Sequence, residues 1–506
     1  MDSLVFFFVT IELSPFFKVT GMGDLLRAVV RELARRKFRV VVLAPDFGCE
    51  YKGLKIRGSF TTASQFRNRL KVKDIRVAED DDGVSYYFVA AGEAQQYLEQ
   101  RVSEGRGNET GRMWLDFCHN VSMIVDGIVR THFDLTYDRI VTHCFHWQTA
   151  PLLFLLDQVE WRDKAKLVLT VDVLEEQGRF GSEVLDVHEI FRGMSRTGES
   201  MVNFLVSGLR CADVVHTVSP TYAKEIQTPP KGGGLEKIFQ DFYARGRLIG
   251  VLNGIDYQLT DWQCIPILHD TGLCLVPTEP EVLQHKQRAK AIFQTSACLP
   301  QDPSAFLISM GHRFCEQKNF ELIARAMDDL MALSPRPQIY LRAWPEPQGE
   351  SSDRELWYAL ARLSKRYRYN LAFLSPYDRD ASLMNEAIFI DRFLYYAASD
   401  LFLMPSVWEP CGLCQLEAMR FGALPLVSGV GGLLDTVKSI DDYDDGWGFV
   451  LKDISDPTGL VRLVGRAIQI WQEQRDQWDQ MVRRALSFDS SITTAVDNYL
   501  EKIYLK

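Results

Sequence analysis

Apolar residues along the chain fall into short runs that alternate with helical stripes. Residues 4–10 form an apolar run, a loop follows at 12–23, and residues 24–36 carry apolar side chains at helical spacing before a second run at 40–43. A strand, a glycine-bearing loop, a helix and a strand make up one βαβ unit of a parallel sheet. The first part of the chain therefore predicts an α/β sheet with buried parallel strands.

The same alternation continues, breaks once and then restarts. A polar, proline-bearing stretch at 277–303, with a short helical pattern at 285–293, separates the two halves. Before this break we predict strands at 139–142, 167–171, 214–218 and 248–252, a helix at 149–156 and a helix that begins at Pro220. After the break we predict strands at 305–309, 338–343, 371–374, 401–404 and 424–427 and a helix at 320–333.

This organisation predicts an α/β fold class with two Rossmann-like domains. A chain of 506 residues is too long for one ordinary core, and we place the domains at 1–255 and 304–484 with an interdomain linker region at 256–303. In such folds ligands bind at the carboxyl ends of the strands. We therefore expect the two domains to face a central cleft that holds the binding site.

Charge and composition remove several classes of function. Lysine and arginine total 57 against 67 aspartate and glutamate, and this formal charge of −10 disfavours a nucleic-acid binder. No segment reaches the roughly 18 apolar residues needed to span a bilayer, and the apolar start lacks a basic n-region. The ten cysteines are scattered, and the single C-x-x-C, Cys411 to Cys414, has no second pair. We expect reduced thiols in a cytoplasmic protein.

The first candidate binding loop precedes the first predicted helix. It contains Lys18, Gly21 and Gly23 and enters the helix at Asp24. Glycines before a helix let backbone N–H groups approach an anion, the helix dipole adds a partial positive charge, and a lysine adds a full one. A tight turn that needs only a positive φ at one glycine explains the same residues, so this loop alone leaves both interpretations open.

A second candidate follows the strand predicted to end at Ser309. Arg313 and Lys318 place two cations five residues apart at the carboxyl end of that strand. An arginine can bind two oxygens at once and a lysine supplies a point charge, which together suit a diphosphate. Taken alone, a solvated basic loop explains two such charges more simply.

The most constrained segment follows a later predicted strand of the second domain. Glu409 stands just past that strand, Pro410 and Gly412 shape a turn whose amides can face a ligand, and Glu417 comes eight residues after Glu409. That spacing is about two turns if the segment is helical. A further glycine loop, 429–435, enters another helix. A capped helix with an ordinary carboxylate does not explain why so many constrained residues occur together.

These motifs together resemble those of bacterial glycogen synthases and plant starch synthases, which have the two-domain GT-B fold. The most specific matches are 409–422, which resembles the family's E-P-C-G-L-x-Q-L-x-A-M-R-x-G, and 431–437, which resembles its G-G-L-x-D-T-V. The other matches follow in order along nearly the whole chain: 18–24 (K-x-G-G-L-x-D), 218–226 (V-S-P-T-Y-x-x-E-I), 253–256 (N-G-I-D) and 313–318 (R-x4-K). The resemblance also implies that the carboxyl-terminal segment, 485–506, packs back on the first domain.

The resemblance implies a retaining glycosyltransferase that moves glucose from ADP-glucose, or UDP-glucose in some relatives, to the non-reducing end of an α-1,4-glucan. It implies an acceptor side on the first domain, a donor side on the second, and neither a metal nor a cofactor. Arg313 and Lys318 would neutralise the leaving diphosphate, and Glu409 would bind the transferred sugar near the reacting carbon. The other implied donor-binding residues are Lys18, Gly21, Cys411, Gly412, Leu413, Glu417, Gly431, Gly432 and Tyr377, which resembles the aromatic residue that stacks on the nucleotide base.

Four positions of the first domain depart from the family. The aspartate of its H-x-H-D-W-H motif is replaced by His146, and in its T-x-H-N-L-x-Y-Q-G motif the histidine, asparagine and tyrosine are replaced by Asp172, Val173 and Glu176. An anionic Asp172 repels phosphate unless it is paired or protonated. If the two side chains converge, His146 and Asp172 can pair with their places exchanged. Independent drift in an unused wall explains the same changes, so both interpretations stay open.

The sequence leaves two classes of function open. The first is an active hexosyltransferase, with either the donor and acceptor of the family or altered ones, and the second is a degenerate homologue that binds glucan or regulates other synthases. An enzyme is favoured because a pseudoenzyme has no need of charged groups in a diphosphate pocket. The retained charged residues are Lys18, Arg313, Lys318 and Glu409. We expect a nucleotide sugar and a glucan or other sugar acceptor as partners, and a homo-oligomer or a complex with other glucan-metabolising proteins is an open possibility.

Overall fold

The computed structural model of the protein describes residues 4–17, 20–46, 48, 51, 53–59, 75–91, 107–132, 139–194, 200–260, 279–345, 351–374 and 392–506. The chain divides into two compact units, Met1–Gly254 with Ile492–Lys506, and Ile255–Ser491, which we call unit 1 and unit 2. None of the described helices is long and apolar enough to cross a membrane.

Unit 1 contains a mixed sheet and a small two-stranded sheet. Its strands are β1 (Leu4–Val9), β2 (Arg39–Pro45), β3 (Lys55–Ser59), β4 (Arg76–Glu79), β5 (Ser85–Val89), β6 (Arg139–Phe145), β7 (Ala165–Thr170), β8 (Arg179–Gly181), β9 (Met201–Asn203), β10 (Val214–Thr217) and β11 (Leu248–Gly250). Nine of them form one sheet in the order β11-β10-β7-β6-β1-β2-β5-β4-β3, and β8 pairs with β9. The strand pairs of the nine-stranded sheet are parallel except β3–β4 and β4–β5, which are antiparallel, and β8 and β9 are also antiparallel.

The helices of unit 1 follow the predicted alternation. They are α1 (Met22–Arg35), α2 (Asn108–His132), α3 (Pro151–Leu156), α4 (Phe204–Cys211), α5 (Pro220–Glu225) and α6 (Glu236–Ala244). The predicted apolar stripe of α1 is confirmed, because Leu26, Val30 and Leu33 are fully buried. Ser219 caps α5 by accepting a hydrogen bond from the Tyr222 amide, as the serine–proline start of that helix indicates.

Unit 2 is a six-stranded parallel sheet in the order β14-β13-β12-β15-β16-β17. Its strands are β12 (Leu307–Phe314), β13 (Gln338–Pro345), β14 (Leu371–Leu374), β15 (Leu401–Met404), β16 (Leu424–Ser428) and β17 (Phe449–Leu451). Its helices are α7 (Glu279–Ser296), α8 (Phe320–Leu330), α9 (Ser351–Arg366), α10 (Arg392–Ala398), α11 (Cys414–Arg420), α12 (Gly431–Thr436), α13 (Pro457–Glu473) and α14 (Arg475–Ser487). Numbered from β12, the strand order is 3-2-1-4-5-6, the arrangement of the doubly wound nucleotide-binding fold.

The boundaries of the units differ from those expected from the sequence. Unit 2 begins at Ile255, so α7 belongs to it although the sequence placed this segment in the linker. Phe293 of α7 is buried in a core cluster of unit 2. The return to unit 1 begins at Ile492 rather than at 485, because Trp478 and Met481 of α14 are buried in another core cluster of unit 2.

The last segment of the chain belongs to unit 1. It consists of α15 (Ile492–Tyr499) and a π-helical turn, Leu500–Tyr504. Tyr499 and Tyr504 are buried, and the ammonium group of Lys166 donates hydrogen bonds to the carbonyl groups of Ile503 and Tyr504. Packing of aromatic side chains and a lysine that caps the final carbonyls hold this segment in place.

Candidate functional site

The carboxyl ends of β12 and β15 lie side by side in the sheet of unit 2, where the strand order reverses. Lys318 ends a short 3-10 turn that follows β12, and Glu409 follows β15. Nζ of Lys318 lies 2.5 Å from Oε2 of Glu409, and the two side chains are only 10% and 9% exposed. The Ser406 hydroxyl also donates to this oxygen, at 3.1 Å. A buried cation and carboxylate therefore mark the switch point at which such sheets bind ligands.

Two residues that the sequence analysis did not single out hold this pair in position. Asn319 adopts φ 55° and caps α8 by accepting a hydrogen bond from the Leu322 amide, which ends the turn directly after Lys318. Gln317 accepts a hydrogen bond from the Val407 amide at 2.8 Å and donates one to the Trp408 carbonyl at 3.0 Å. The loops after β12 and β15 are thereby joined. An asparagine before an amphipathic helix predicts a helix cap, whereas no sequence pattern predicts the role of Gln317.

Arg313 lies within β12, not after it as predicted from the sequence. The strand runs to Phe314, and Arg313 is paired in register with Trp344 of β13. Its neighbour His312 is buried, and burial together with the charge of Lys318 keeps the pKa of this imidazole well below its usual value. His312 is therefore neutral at pH 7, and the cations at this strand end are Arg313 and Lys318.

Glu409 and Glu417 do not share a helix. Gly412 has φ 78°, the segment from Glu409 to Leu413 is non-helical, and α11 begins at Cys414, so the idea of two helical turns between the carboxylates is wrong. Glu417, in the first turn of α11, is nearly buried and lies 3.0 Å from the guanidinium group of Arg392. This second ion pair was not foreseen, because its partner is distant in sequence.

The glycine loop at the start of α12 packs against the backbone that follows Glu409. Gly431 has φ 45°, and a Cβ atom there would lie 2.0 Å from the Glu409 carbonyl oxygen. The N–H group of Gly432 donates to the carbonyl oxygens of Glu409 and Pro410, both at 3.1 Å. These glycines therefore permit a close backbone approach. The Gly432 amide is thus engaged within the protein, and its implied role in donor binding stays a prediction.

The cysteines of this loop are shielded. Cys411 is buried, and burial, with the charge of Glu417, raises the pKa of the Cys414 thiol to about 11. Both follow Glu409 closely, and Leu413, the residue directly before α11, is partly buried against the core of unit 2. Among the residues that the structure describes, no group of three histidine, cysteine or acidic side chains is arranged to hold a metal ion.

In unit 1, β1, β6 and β7 are adjacent and parallel, and their carboxyl ends carry Glu12, His146 and Asp172. Nδ1 of His146 lies 3.1 Å from Oδ1 of Asp172, with the side chains 12% and 13% exposed. His146 adopts φ 67°, which is uncommon for a residue other than glycine. The two exchanged residues therefore converge, which is the condition on which their pairing depended.

This pair has a defined protonation state. Burial alone would lower the pKa of His146, but the charge and hydrogen bond of Asp172, with further contributions from Glu12 and Glu176, raise it to about 9. Burial acts to raise the pKa of Asp172, but His146 and the amide of Val173 outweigh it and lower this pKa. At neutral pH the pair is an imidazolium and a carboxylate.

The start of α1 is organised by side chains rather than by glycine conformation. Gly21 has φ −69°, so the positive φ that a tight turn would need is not used there. Instead, the amide of Thr20 donates to the Glu12 carboxylate at 2.7 Å, and the Thr20 hydroxyl accepts a hydrogen bond from the Met22 amide. Lys18 lies outside the described residues, and so does Tyr377.

A buried chain of hydrogen bonds links this edge to the end of the protein. The Tyr504 hydroxyl lies 2.7 Å from Nδ1 of His143, and Nε2 of that histidine lies 2.6 Å from Oγ1 of Thr170. Thr170 also lies 2.8 Å from Nδ1 of His216. Burial keeps the pKa of both histidines below its usual value. Thr170, the last residue of β7 and two residues before Asp172, is thus fixed by His143 and His216, and Tyr504 in turn holds His143.

The chain matches two protein-family models and is similar in sequence to known enzymes. Residues 6–241 match the model of the starch synthase catalytic domain, and residues 392–485 match glycosyl transferases group 1. The chain is 34% identical to a glycogen synthase of Lactococcus lactis subsp. lactis (strain IL1403), with 98% of each chain covered. It is 30% identical to a glycogen synthase of Lactobacillus acidophilus, with 97% of each chain covered.

A solved structure extends the comparison to the fold. The catalytic domain of starch synthase IV from Arabidopsis thaliana, bound to ADP and acarbose, matches with a TM-score of 0.79 and 25% identity, covering 99% of this chain and 98% of that chain. The two α/β units with parallel sheets are those of the GT-B fold. The chain therefore belongs to the glycogen and starch synthase family and is a GT-B glycosyltransferase that transfers glucosyl units.

Proposed function

We propose that this glycosyltransferase moves glucose from ADP-glucose to the non-reducing end of an α-1,4-glucan, with retention of configuration and without a metal or a cofactor. The observation that carries the proposal is the buried Lys318–Glu409 pair at the switch point of unit 2. Support for the donor and the acceptor comes from the glycogen synthases that the chain resembles and from the starch synthase structure that holds ADP and acarbose.

The role proposed for Lys318 and Arg313 is electrostatic. As the bond between the anomeric carbon and the diphosphate oxygen breaks, the leaving group gains negative charge. Fixed cations lower the barrier because they need no reorganisation at that moment. An ammonium group has three N–H donors, and the contact with Glu409 at 2.5 Å accounts for one of them. Lys318 can therefore bind a phosphate oxygen without releasing its partner.

The role proposed for Glu409 concerns the sugar. Its carboxylate is held in place by Lys318 and by the Ser406 hydroxyl. A fixed carboxylate beside the transferred glucose stabilises the positive charge that develops on the ring when the donor bond breaks. The oxygen of the acceptor hydroxyl then bonds to the anomeric carbon on the face that the diphosphate leaves, and the hydroxyl proton passes to the departing diphosphate oxygen.

The test is transfer of labelled glucose from ADP-glucose and UDP-glucose to glycogen by the full chain, with and without EDTA. We expect faster transfer from ADP-glucose, insensitivity to EDTA, and a product that an α-1,4-specific amylase releases. Absence of transfer from either donor would overturn the proposed function, whereas a preference for UDP-glucose would overturn only the donor assignment. Loss of activity in EDTA that Mg²⁺ restores would overturn the metal-free mechanism.

A pair of lysine variants tests the residue that carries the proposal. Lys318→Ala is expected to weaken ADP binding, measured by calorimetry, by roughly tenfold or more, since a hydrogen bond to a charged group is worth about 1.5–3 kcal/mol. The control is Lys290→Met, which removes another buried lysine of unit 2 that pairs with Asp400 and should leave the affinity unchanged. Equal effects of the two variants would show that Lys318 acts only through the stability of unit 2.

A further inference from the structure

The exchanged pair of unit 1 has a geometry that a merely structural ion pair does not need. We infer that Asp172 positions His146 so that the Nε2–H group of this histidine donates a hydrogen bond to an anionic oxygen of the sugar nucleotide. In this arrangement His146 is the residue that touches the substrate and Asp172 is a positioning residue. The inference rests on the proposed function, since it names a contact to the nucleotide sugar of that reaction.

The first support is the orientation of the imidazole ring. Nδ1–H of His146 donates to Oδ1 of Asp172 at 3.1 Å, and the same oxygen accepts a hydrogen bond from the amide of Val173 at 3.0 Å. The carboxylate is thereby fixed to its own loop and the ring is fixed to the carboxylate. With Nδ1 engaged in this way, only Nε2 can reach another group.

The second support is the state of that remaining nitrogen. Nε2 of His146 is buried and has no hydrogen-bond partner within the part of the chain that the structure describes. Buried polar atoms of native proteins almost always have a partner, so an exception at a strand's carboxyl end indicates a ligand. The backbone of His146 is held at φ 67°, and such uncommon conformations concentrate at functional sites.

The third support is the balance of charge. The carboxylates that act on His146 are Asp172, Glu12 and Glu176, and Glu12 already accepts hydrogen bonds from Thr20. An acidic edge of this kind repels phosphate. The imidazolium cancels the charge of Asp172 and presents a positive N–H group instead. The exchange of the two residue types therefore keeps one positive donor at this edge, beside Glu12 and Glu176, which a carboxylate at position 172 without the histidine would not.

Unit 1 contains a matched control for this pair. Nε2 of His188 lies 3.1 Å from Oδ1 of Asp116, but these side chains are more exposed, at 29% and 31%. The His188 ring stacks on His119 at 4.0 Å, so it has a structural contact of its own. The two histidine–carboxylate pairs share the same separation, and only the pair of His146 lies at the carboxyl ends of β6 and β7.

The experiment compares transfer kinetics of the full chain from pH 5.5 to 9.5 for the wild type, His146→Gln, Asp172→Asn, Asp172→Glu and the control Asp116→Asn. We expect His146→Gln to lower kcat/KM for the nucleotide sugar by roughly 10- to 100-fold, as for loss of a charge-assisted hydrogen bond. Asp172→Asn should lose activity at a lower pH than the wild type as pH rises, because the variant lacks the carboxylate that chiefly opposes the lowering of the His146 pKa by burial. Asp172→Glu should restore part of the alkaline activity, and Asp116→Asn should match the wild type.

A second readout is independent of turnover. Imidazole resonances of labelled protein, assigned with His146→Gln, should show one histidine that titrates near pH 9 in the wild type and loses this behaviour in Asp172→Asn. If the wild type is active and His146→Gln leaves kcat/KM unchanged, the inference fails although the proposed function stands. A pH profile of Asp172→Asn that is identical to that of the wild type overturns the positioning role. A wild type that transfers no glucose overturns the proposed function itself.

Discussion

Replacing Lys290 by methionine removes one partner of a buried ion pair in the scaffold of unit 2. Nζ of Lys290 lies 2.6 Å from Oδ2 of Asp400 and donates to the carbonyl oxygen of Ala305 at 3.0 Å. Asp400 in turn accepts a hydrogen bond from the Leu307 amide, the first residue of β12. The pair therefore joins α7, the start of β12 and the residue that precedes β15.

The expected loss of stability is about 3–5 kcal/mol, because the substitution leaves Asp400 as an uncompensated buried charge. The double variant, Lys290→Met with Asp400→Asn, should cost less than the sum of the single changes, since the asparagine carbonyl can still accept the Leu307 amide and no charge is stranded. An exposed ion pair serves as the comparison. Asp328→Asn removes the exposed contact with Arg366 and should lower the stability by only about 0–1 kcal/mol.

The assay is urea unfolding followed by tryptophan fluorescence. The ammonium group of Lys290 lies 5.6 Å from the ring centroid of Trp471, so this residue is a local probe of the change. A chain of two units need not unfold in a single step, and the transition of unit 2 is the one to compare. A loss below about 1 kcal/mol for Lys290→Met, or additive effects in the double variant, would show that leaving Asp400 without its partner is not what destabilises unit 2.

Three further outcomes follow from named contacts. Asn319→Ala removes the cap of α8 and should cost about 1 kcal/mol in urea unfolding, with weaker ADP binding in calorimetry because the turn of Lys318 loosens. Tyr504→Phe leaves Nδ1 of buried His143 unpaired and should cost about 1–3 kcal/mol, measured by urea unfolding of unit 1. Burial lowers the pKa of His216 to about 3, so the contribution of neutral His216 to the free energy of unfolding is lost as pH falls from 6.5 towards 3, by about 1.4 kcal/mol per pH unit. The free energy of unfolding of His216→Gln should therefore depend less steeply on pH in this range.

Most of the parallel strands were readable from the sequence because they form short, continuous apolar runs, whereas the parallel strands β5 and β17 were not predicted. Strand β1 illustrates this, since Phe6, Phe7 and Phe8 are all buried, as expected of a strand covered on both faces. The exact ends were less readable. Strand β12 extends to Phe314, beyond the apolar run, because its neighbour β13 supplies backbone partners for the polar residues as well. Hydrogen bonding between strands, which no local pattern records, decided that boundary.

Some residues of the candidate site could be predicted from local sequence, and others could not. The type and spacing of Lys318 and Glu409 were sufficient to nominate them. Ser406 was not foreseen, although it lies only three residues before Glu409. Gln317 was not foreseen either, because its partners are backbone groups of a loop that is distant in sequence. Arg392 was missed for the same reason, although it pairs with Glu417. Sequence motifs identify charged groups, whereas the contacts that orient them emerge only when strands are brought side by side.

Each unit carries a buried cation paired with a carboxylate at the carboxyl edge of its central strands, Lys318 with Glu409 and His146 with Asp172. A lone buried cation costs several kcal/mol in lost hydration and tends to give up its proton. A neighbouring carboxylate keeps the cation charged and directed, while its other N–H donors can still bind an anion. Because such a pair is neutral as a whole, exchanging histidine and aspartate between the ends of β6 and β7 preserves the net charge of the pair. The exchange changes which strand presents the donor, so it alters the direction of the hydrogen bond rather than removing the chemistry.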